Sequence, residues 1–364
     1  MNLALRRMGH EVVEIWQTEL GRRIRHGNLH YLLELPRAFR RSMRNALERQ
    51  TFDVIEFNQP HAYLAAADFQ RGRHHGVFVN RSHGHEVRMW ETLAPWQATL
   101  EKKRKFALRG LFSDCLRPWL DRQWTMIARS ADGFHVSCRE DAQFLIDRYH
   151  VSANRIGVIS QGIPDSFLQV PLRPMADERR NRMLYVGQYS FFKAPMLLTQ
   201  IVEQLLTERP NLTMTWICSR VHHSDVRSLL SSQVQSRVTL SDWRPQEELI
   251  QVFDEHGLFL FPSLFEGFGK APLEAMSRGL CVIASDAGGM RDFIENGRTG
   301  RLIPIGRVDL FVQAALELRD NADKSQAMSI EAHKSASRHT WDWCARELTG
   351  FYQRQLENKV EDSR

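Results

Sequence analysis

Residues 261–304 read FPSLFEGFGKAPLEAMSRGLCVIASDAGGMRDFIENGRTGRLIP, and the fold follows from how this stretch divides. It opens on the end of an apolar strand (GLFLF, residues 257–261), breaks at Pro262 and Ser263, passes through Gly267 and Gly269, and enters a predicted helix near Pro272. Glu266 falls in the glycine loop at the carboxyl end of that strand, and Glu274 falls one turn into the helix. A second apolar run, LCVIAS (residues 280–285), ends in the pair Gly288 and Gly289 before a further helix begins. Strand, loop, helix and strand in this order predict a parallel α/β sheet. Ligands of such sheets bind outside the carboxyl ends of the strands, where a helix amino terminus offers unpaired N–H groups and partial positive charge to a phosphate. Glu274 sits between Leu273 and Ala275 in an otherwise apolar turn, which is a poor place for a merely solvated carboxylate.

The rest of the second half keeps the same rhythm. RMLYVG (182–187), LTMTWIC (212–218) and RVTLS (237–241) read as strands alternating with helices, and Pro245 opens the helix QEELIQVF. His222 and His223 are adjacent, a pattern that can suggest a metal, but no ligand-spaced acidic or cysteine partner accompanies them. Trp243, in a strand-end loop, can stack on a nucleotide base or pack in the core. In the first half, NLALRRM (2–8) reads as the last turns of a helix and EVVEIW (11–16) as a strand. Residues 20–50 read as helical and basic. FDVIEF (52–57), the run GVFVNRSHGHE (76–86) and ADGFHVS (131–137) supply further strands, with a helix REDAQFLIDRYH after the last. Proline, arginine and acidic residues crowd 164–181 and read as an interdomain linker.

A chain of 364 residues suits two domains better than one core. With 43% hydrophobic and 25% charged residues it reads as globular, and no apolar run approaches the roughly 18 residues of a membrane span. Cys115, Cys138, Cys218, Cys281 and Cys344 are odd in number and widely spaced, which points to reduced thiols in the cytoplasm and to no structural zinc. Residues 1–170 carry 25 Lys and Arg against 18 Asp and Glu, and the remainder is close to neutral. Arg22, Arg23, Arg25, Arg37, Arg40, Arg41 and Arg44 gather early, and Lys102, Lys103, Arg104, Lys105 and Arg109 stand among Phe106, Leu108, Leu111 and Phe112. Such a basic amphipathic stretch suits peripheral contact with an anionic membrane, on its inner face, or an ordinary solvated helix face. No motif accompanies the charge that would point to nucleic acid.

The run E-G-F-G-x-x-x-L-E-A-M-x-x-G-x-x-V-I-A-S-D-x-G-G (266–289) resembles the donor-site signature of the retaining glycosyltransferases of family 4, glycosyltransferase group 1. The resemblance implies the GT-B fold, two Rossmann-like doubly wound domains facing across a cleft: residues 1–165 on the acceptor side, with a terminal helix 340–358 packing back on them, and residues 166–339 binding the nucleotide sugar. It implies a retaining transfer from a nucleotide-diphosphate donor to an acceptor hydroxyl of a surface polysaccharide or lipid-linked glycan. By resemblance Glu266 holds hydroxyls of the donor sugar, Glu274 the ribose and Lys193 the diphosphate, while the amides of Gly267, Phe268, Gly269 and Lys270 hold sugar and phosphates. Gly187, Gln188 and Lys193 match a V-G-R-x-x-x-x-K pattern in which Gln188 replaces the arginine, removing one charge-assisted phosphate contact. His83 matches a histidine that lies near the reacting sugar. No D-x-D motif is present, so the resemblance implies neither metal nor cofactor beyond the sugar nucleotide. Gln161-Gly162-Ile163-Pro164-Asp165 resembles the family's N-G-V-D turn. Residues 2–16 match the family's first helix and second strand, so the expectation is that a first strand and glycine loop are missing and that the natural product starts roughly 20–40 residues upstream, by ordinary element lengths. Two rivals stand beside this reading: a degenerate, non-catalytic partner subunit, which Gln188 and the missing first strand motivate, and a GT-B enzyme that cleaves or epimerises, which fits the fold but matches the E-G-F-G motif less well.

Overall fold

The computed structural model describes residues 1–25, 29–100 and 108–362. The chain divides into two compact units, the first comprising Met1–Glu91, Glu101–Ser160 and Asp342–Arg364 and the second Thr92–Leu100 and Gln161–Trp341.

In the first unit β1 (Val54–Asn58), β2 (Val77–Ser82), β3 (Gly133–Val136) and β4 (Ile156–Val158) pair in parallel and in chain order. Parallel neighbours need crossovers, which helices such as Tyr63–Arg71 and Arg139–Tyr149 provide. Strand β3 is buried throughout, as a sheet covered on both faces requires. Phe69, Phe78, Trp124, Phe134 and Leu145 fill the core. The helix Trp341–Asp362 belongs to this packing. Its Phe351 ring lies where a Cβ on Gly157 would come to 2.7 Å, so only glycine admits the helix so close to β4. Lys359 Nζ donates to Gly76 O at 2.7 Å and pairs with Asp132 at 3.1 Å.

The expected strand at residues 11–16 is absent. The segment has no ladder partner among the described residues, and Val13, Ile15 and Trp16 are exposed. An apolar alternation makes a strand only where another strand satisfies its N–H and C=O groups. The basic stretch 20–50 is more broken than expected, with a helix at Leu35–Leu47 preceded by one wide turn at His30–Glu34. Of its arginines, Arg40 and Arg44 pair with Asp68 at 2.5 and 2.6 Å. Lys102, Lys103, Arg104, Lys105 and Phe106 lie outside the described residues.

The second unit holds β5 (Arg182–Val186), β6 (Thr213–Ile217), β7 (Val238–Ser241), β8 (Leu258–Phe261), β9 (Cys281–Ser285) and β10 (Arg301–Ile303). All pair in parallel, in the order β10-β9-β8-β5-β6-β7. The chain therefore winds outward from β5 to β7, returns to the other side of β5 at β8, and winds outward again. The carboxyl ends of β5 and β8 flank the switch point, where an open α/β sheet leaves a crevice. The segment 164–181 is no loose linker: Arg278, with no exposed surface, donates to Phe167 O, Val170 O and Pro171 O and pairs with Asp254. This clamp fixes the segment to the second unit.

Candidate functional site

The loops after β5 and β8 carry the charged groups of the second unit's crevice. After β5 the chain passes Gly187, Gln188 and Tyr189 and makes a single 3-10 turn at Phe191–Lys193. After β8 it runs from Pro262 to Gly269 and enters the helix Lys270–Ser277. The two loops are tied by the Leu264 N–H, which donates to Phe192 O at 2.8 Å. Lys193 Nζ thereby reaches Glu266 Oε1 at 2.5 Å. The ammonium also lies 4.6 Å from the Phe261 ring centroid and 5.4 Å from that of Phe192, so two aromatic faces seat it.

Tyr185, buried in β5, donates its hydroxyl to Gln188 O at 3.3 Å and stacks on Phe261 at 5.9 Å. Burial, and then the Glu266 charge, hold its phenol well above the ordinary tyrosine range, so it remains a donor. A Cβ on Gly187 would come to 2.5 Å from that hydroxyl. The Gln188 side chain is exposed and carries no charge, so Lys193 is the cation that this loop brings to Glu266.

The glycine loop is shaped by close approach. Gly269 caps the helix at φ +93°, and Gly288 at φ +54° lies so near the loop that a Cβ there would come to 2.1 Å from Glu266 O. Gly289 N–H donates to Gly267 O at 3.0 Å, fixing the two glycine turns together. The Phe268 ring is buried against Phe293, 5.2 Å between centroids, which leaves only its backbone for a ligand. The first-turn amides of a helix have no intrahelical acceptor, so the amino end behind Gly269 is suited to anionic oxygens.

Glu266 and Glu274 are only 6% and 7% exposed, so neither is a solvated surface carboxylate. Burial pushes the Glu274 carboxyl up, and the Lys270 ammonium at 3.3 Å and a hydrogen bond from Gln246 oppose that rise. Lys270 itself is 42% exposed. Trp243 is 47% exposed and therefore not a core residue. His222 pairs with Asp225 at 3.0 Å, an acidic partner three residues on that the sequence reading overlooked. His223 Nε2 lies 3.2 Å from Cys218 O. Among the described residues no group of three or more His, Cys, Asp or Glu is placed to hold a metal ion.

His83 belongs to the first unit, in the exposed loop after β2. Desolvation and then the Arg81 charge bring its pKa down to about 4, so the ring is neutral near pH 7. Beneath it lies a polar network that sequence reasoning missed. Glu56 Oε2 accepts from Tyr352 OH at 2.8 Å and lies 2.9 Å from His135 Nδ1, while Arg81 approaches Oε1 at 3.4 Å. Burial alone would raise the Glu56 carboxyl, but His135, Arg81 and Tyr352 together bring it to about 2. Tyr352 is 296 residues from Glu56, and no local signal joins them. His85 is buried, stacked 3.9 Å from Trp124, and is no solvent-facing counterpart of His83.

Comparison with known proteins adds the relatives of this arrangement. The family described as Glycosyltransferase Family 4 matches residues 3–167, and that described as Glycosyl transferases group 1 matches residues 180–321. The D-inositol 3-phosphate glycosyltransferase of Corynebacterium efficiens is 28% identical over 240 residues, covering 61% of this chain and 56% of that protein. The protein of the same description from Thermobispora bispora is 27% identical, covering 62% and 57%. The match thus spans little more than half the length of these curated relatives. Among solved structures, sucrose-phosphate synthase from Thermosynechococcus elongatus superposes with a TM-score of 0.71 at 18% identity, covering 92% of this chain and 81% of that one. HepE of Anabaena, in complex with UDP, gives 0.64 at 17%, covering 89% and 82%. The lipopolysaccharide outer core galactosyltransferase WaaB gives 0.64 at 18%, covering 87% and 79%. At such identities the likeness establishes the GT-B fold alone.

Proposed function

Because the chain belongs to glycosyltransferase family 4, group 1, we propose that it moves a sugar from a nucleoside-diphosphate donor to an acceptor hydroxyl with retention of anomeric configuration. The observation that carries this reading is the meeting of Lys193 and Glu266 at 2.5 Å, at the sheet's switch point and before the amino end of the helix Lys270–Ser277. Lys193 and the amides of Gly267 to Lys270 would take the diphosphate, stabilising the negative charge that grows on it as the bond to the anomeric carbon breaks. Glu266 accepts from hydroxyls of the donor sugar and Glu274 from those of the ribose. Both are buried, where a carboxylate–hydroxyl bond is worth more than in water. In the first unit, neutral His83 is the residue proposed to hydrogen-bond the reacting sugar. The reading requires no metal: the chain's own cation and amides supply the electrostatic stabilisation.

HepE has been solved with UDP and with UDP-glucose, so uridine donors are the first to test here. The surplus positive charge of residues 1–170 favours an acceptor at an anionic surface, such as a lipid-linked glycan or a surface polysaccharide. Among the described residues no helix is long and apolar enough to cross a membrane, so contact with a bilayer would be peripheral for this part of the chain. Gln188 favours a second reading, a non-catalytic partner subunit, because it leaves the diphosphate one cation short. Incubation with a panel of UDP, GDP and ADP sugars separates the two. Release of nucleoside diphosphate that depends on Lys193, with an anomeric product matching the donor by NMR, supports transfer. Binding without turnover of any donor supports the partner subunit.

A further inference from the structure

Lys270 breaks two local rules at once. It is the first residue of the helix Lys270–Ser277, where the positive end of the helix dipole favours an anion and disfavours a cation. Its ammonium lies 3.3 Å from Glu274 Oε1, and a lysine four residues before its carboxylate is the weaker order of such a pair. The helix has no acidic residue in its first turn, and its N-cap Gly269 brings no side chain to receive the unpaired amides. Nothing in the helix itself neutralises its amino end, so the ammonium and the amides add to one another. A conflict of this kind is expected where a ligand settles it. The two loops of the crevice hold other unspent donors: Ser190 Oγ after β5 and Ser263 Oγ after β8 are buried with no hydrogen-bond partner among the described residues.

We infer that the Lys270 ammonium is the second cation of the diphosphate site, joining phosphate oxygens to Glu274 and supplying the charge that Gln188 lacks. This role rests on the donor reading and adds the side chain of Lys270 to the amide already placed in it. Lys270 is exposed and open to a ligand, while the carboxylate it pairs with is buried. An ammonium has three N–H donors, so the bond to Glu274 leaves two for other oxygens. Glu274 does not depend on Lys270 alone, since Gln246 also hydrogen-bonds to it. The two lysines then stand on either side of the switch point, Lys193 after β5 and Lys270 at the helix after β8. With both in the crevice, the neutral Gln188 no longer leaves the diphosphate one cation short.

Calorimetric titration of UDP, GDP and ADP tests this role in wild type, Lys270→Met, Lys270→Arg, Glu274→Gln and the double variant Lys270→Met/Glu274→Gln, each first checked for a native-like melt. Lys270→Met is expected to weaken the diphosphate about tenfold, the scale of one charge-assisted hydrogen bond, and the loss is expected to shrink as salt rises. Lys270→Arg, which keeps the charge, is expected to retain most of the affinity. The double variant separates a direct contact from a role through the ribose carboxylate. A direct contact preserves the loss from Lys270→Met when residue 274 is already glutamine. A lysine that acts only by holding Glu274 charged has no effect in that background, and this result overturns the inference. Equal affinity of wild type and Lys270→Met, the mark of a solvated surface lysine, overturns it as well. Should Lys270→Met fail to fold, Lys270→Gln, which still donates a hydrogen bond but carries no charge, replaces it in both arms. Failure of all three diphosphates to bind wild type would instead count against the donor reading itself.

Discussion

Glu274 is held one turn into its helix by apolar neighbours, and burial rather than any surface charge sets its character. If it accepts from ribose hydroxyls, Glu274→Gln should weaken binding of a nucleoside diphosphate by roughly tenfold, because a charged acceptor becomes a neutral one. Calorimetry with UDP, GDP and ADP checks this, and affinities equal to wild type would remove Glu274 from the site. Glu86 offers a separate prediction about pH. Burial is the main force that lifts its carboxyl from 4.5 to about 7, a rise that a hydrogen bond from Trp124 opposes and the Asp141 charge assists. The folded state therefore binds this proton more tightly than the unfolded one. The contribution to stability is complete below about 4.5 and is lost as pH rises toward 7. Glu86→Gln should flatten the decline in unfolding free energy between pH 4.5 and 7, as read by denaturant titration. Parallel pH profiles for wild type and variant would contradict the assignment.

At the scale of elements, the two glycine turns after β8 and β9 act as one piece. Gly288 lies at φ +54° with no room for a Cβ beside Glu266 O. Alanine there meets both a left-handed backbone cost of about 1–2 kcal/mol and a backbone clash. Gly288→Ala is expected to lower the melting temperature and to depress donor turnover by a larger factor than the destabilisation explains, since the displaced atom belongs to Glu266. Turnover and melting measured together check it, and a variant that melts lower but transfers at the wild-type rate would show that the loop's position is not critical. This element was largely legible in sequence. The breaks at Pro262, Gly267, Gly269 and Gly288 mark turns by their own chemistry, and the apolar runs of β8 and β9 are buried along their whole length. Residues 11–16 were misread for the opposite reason. Their alternation is local, but a strand is a property of two segments, and no second segment pairs with this one among the described residues.

For the whole molecule, what the sequence could show depended on how far apart the interacting residues lie. Lys193 and Glu266 are 73 residues apart, and the family resemblance assigned both to one donor site, but their ion pair emerges only with β5 beside β8 in the folded sheet. The Glu56–His135–Tyr352 network has no such frame. Its members come from β1, β3 and the terminal helix, and only the folded first unit brings them together. The clamp of Arg278 on residues 167–171 was hidden in the same way, since an arginine at a helix end reads as surface until the segment it holds is seen. The central claim is that the Lys193–Glu266 crevice handles a nucleoside-diphosphate sugar. Single-turnover release of nucleoside diphosphate from UDP, GDP or ADP sugars, compared between wild type and Lys193→Ala, tests it most directly. The account predicts release by wild type from at least one donor and a loss of about a hundredfold or more in Lys193→Ala, the scale of removing one electrostatic stabiliser of a transition state. Equal release by the two proteins would contradict it.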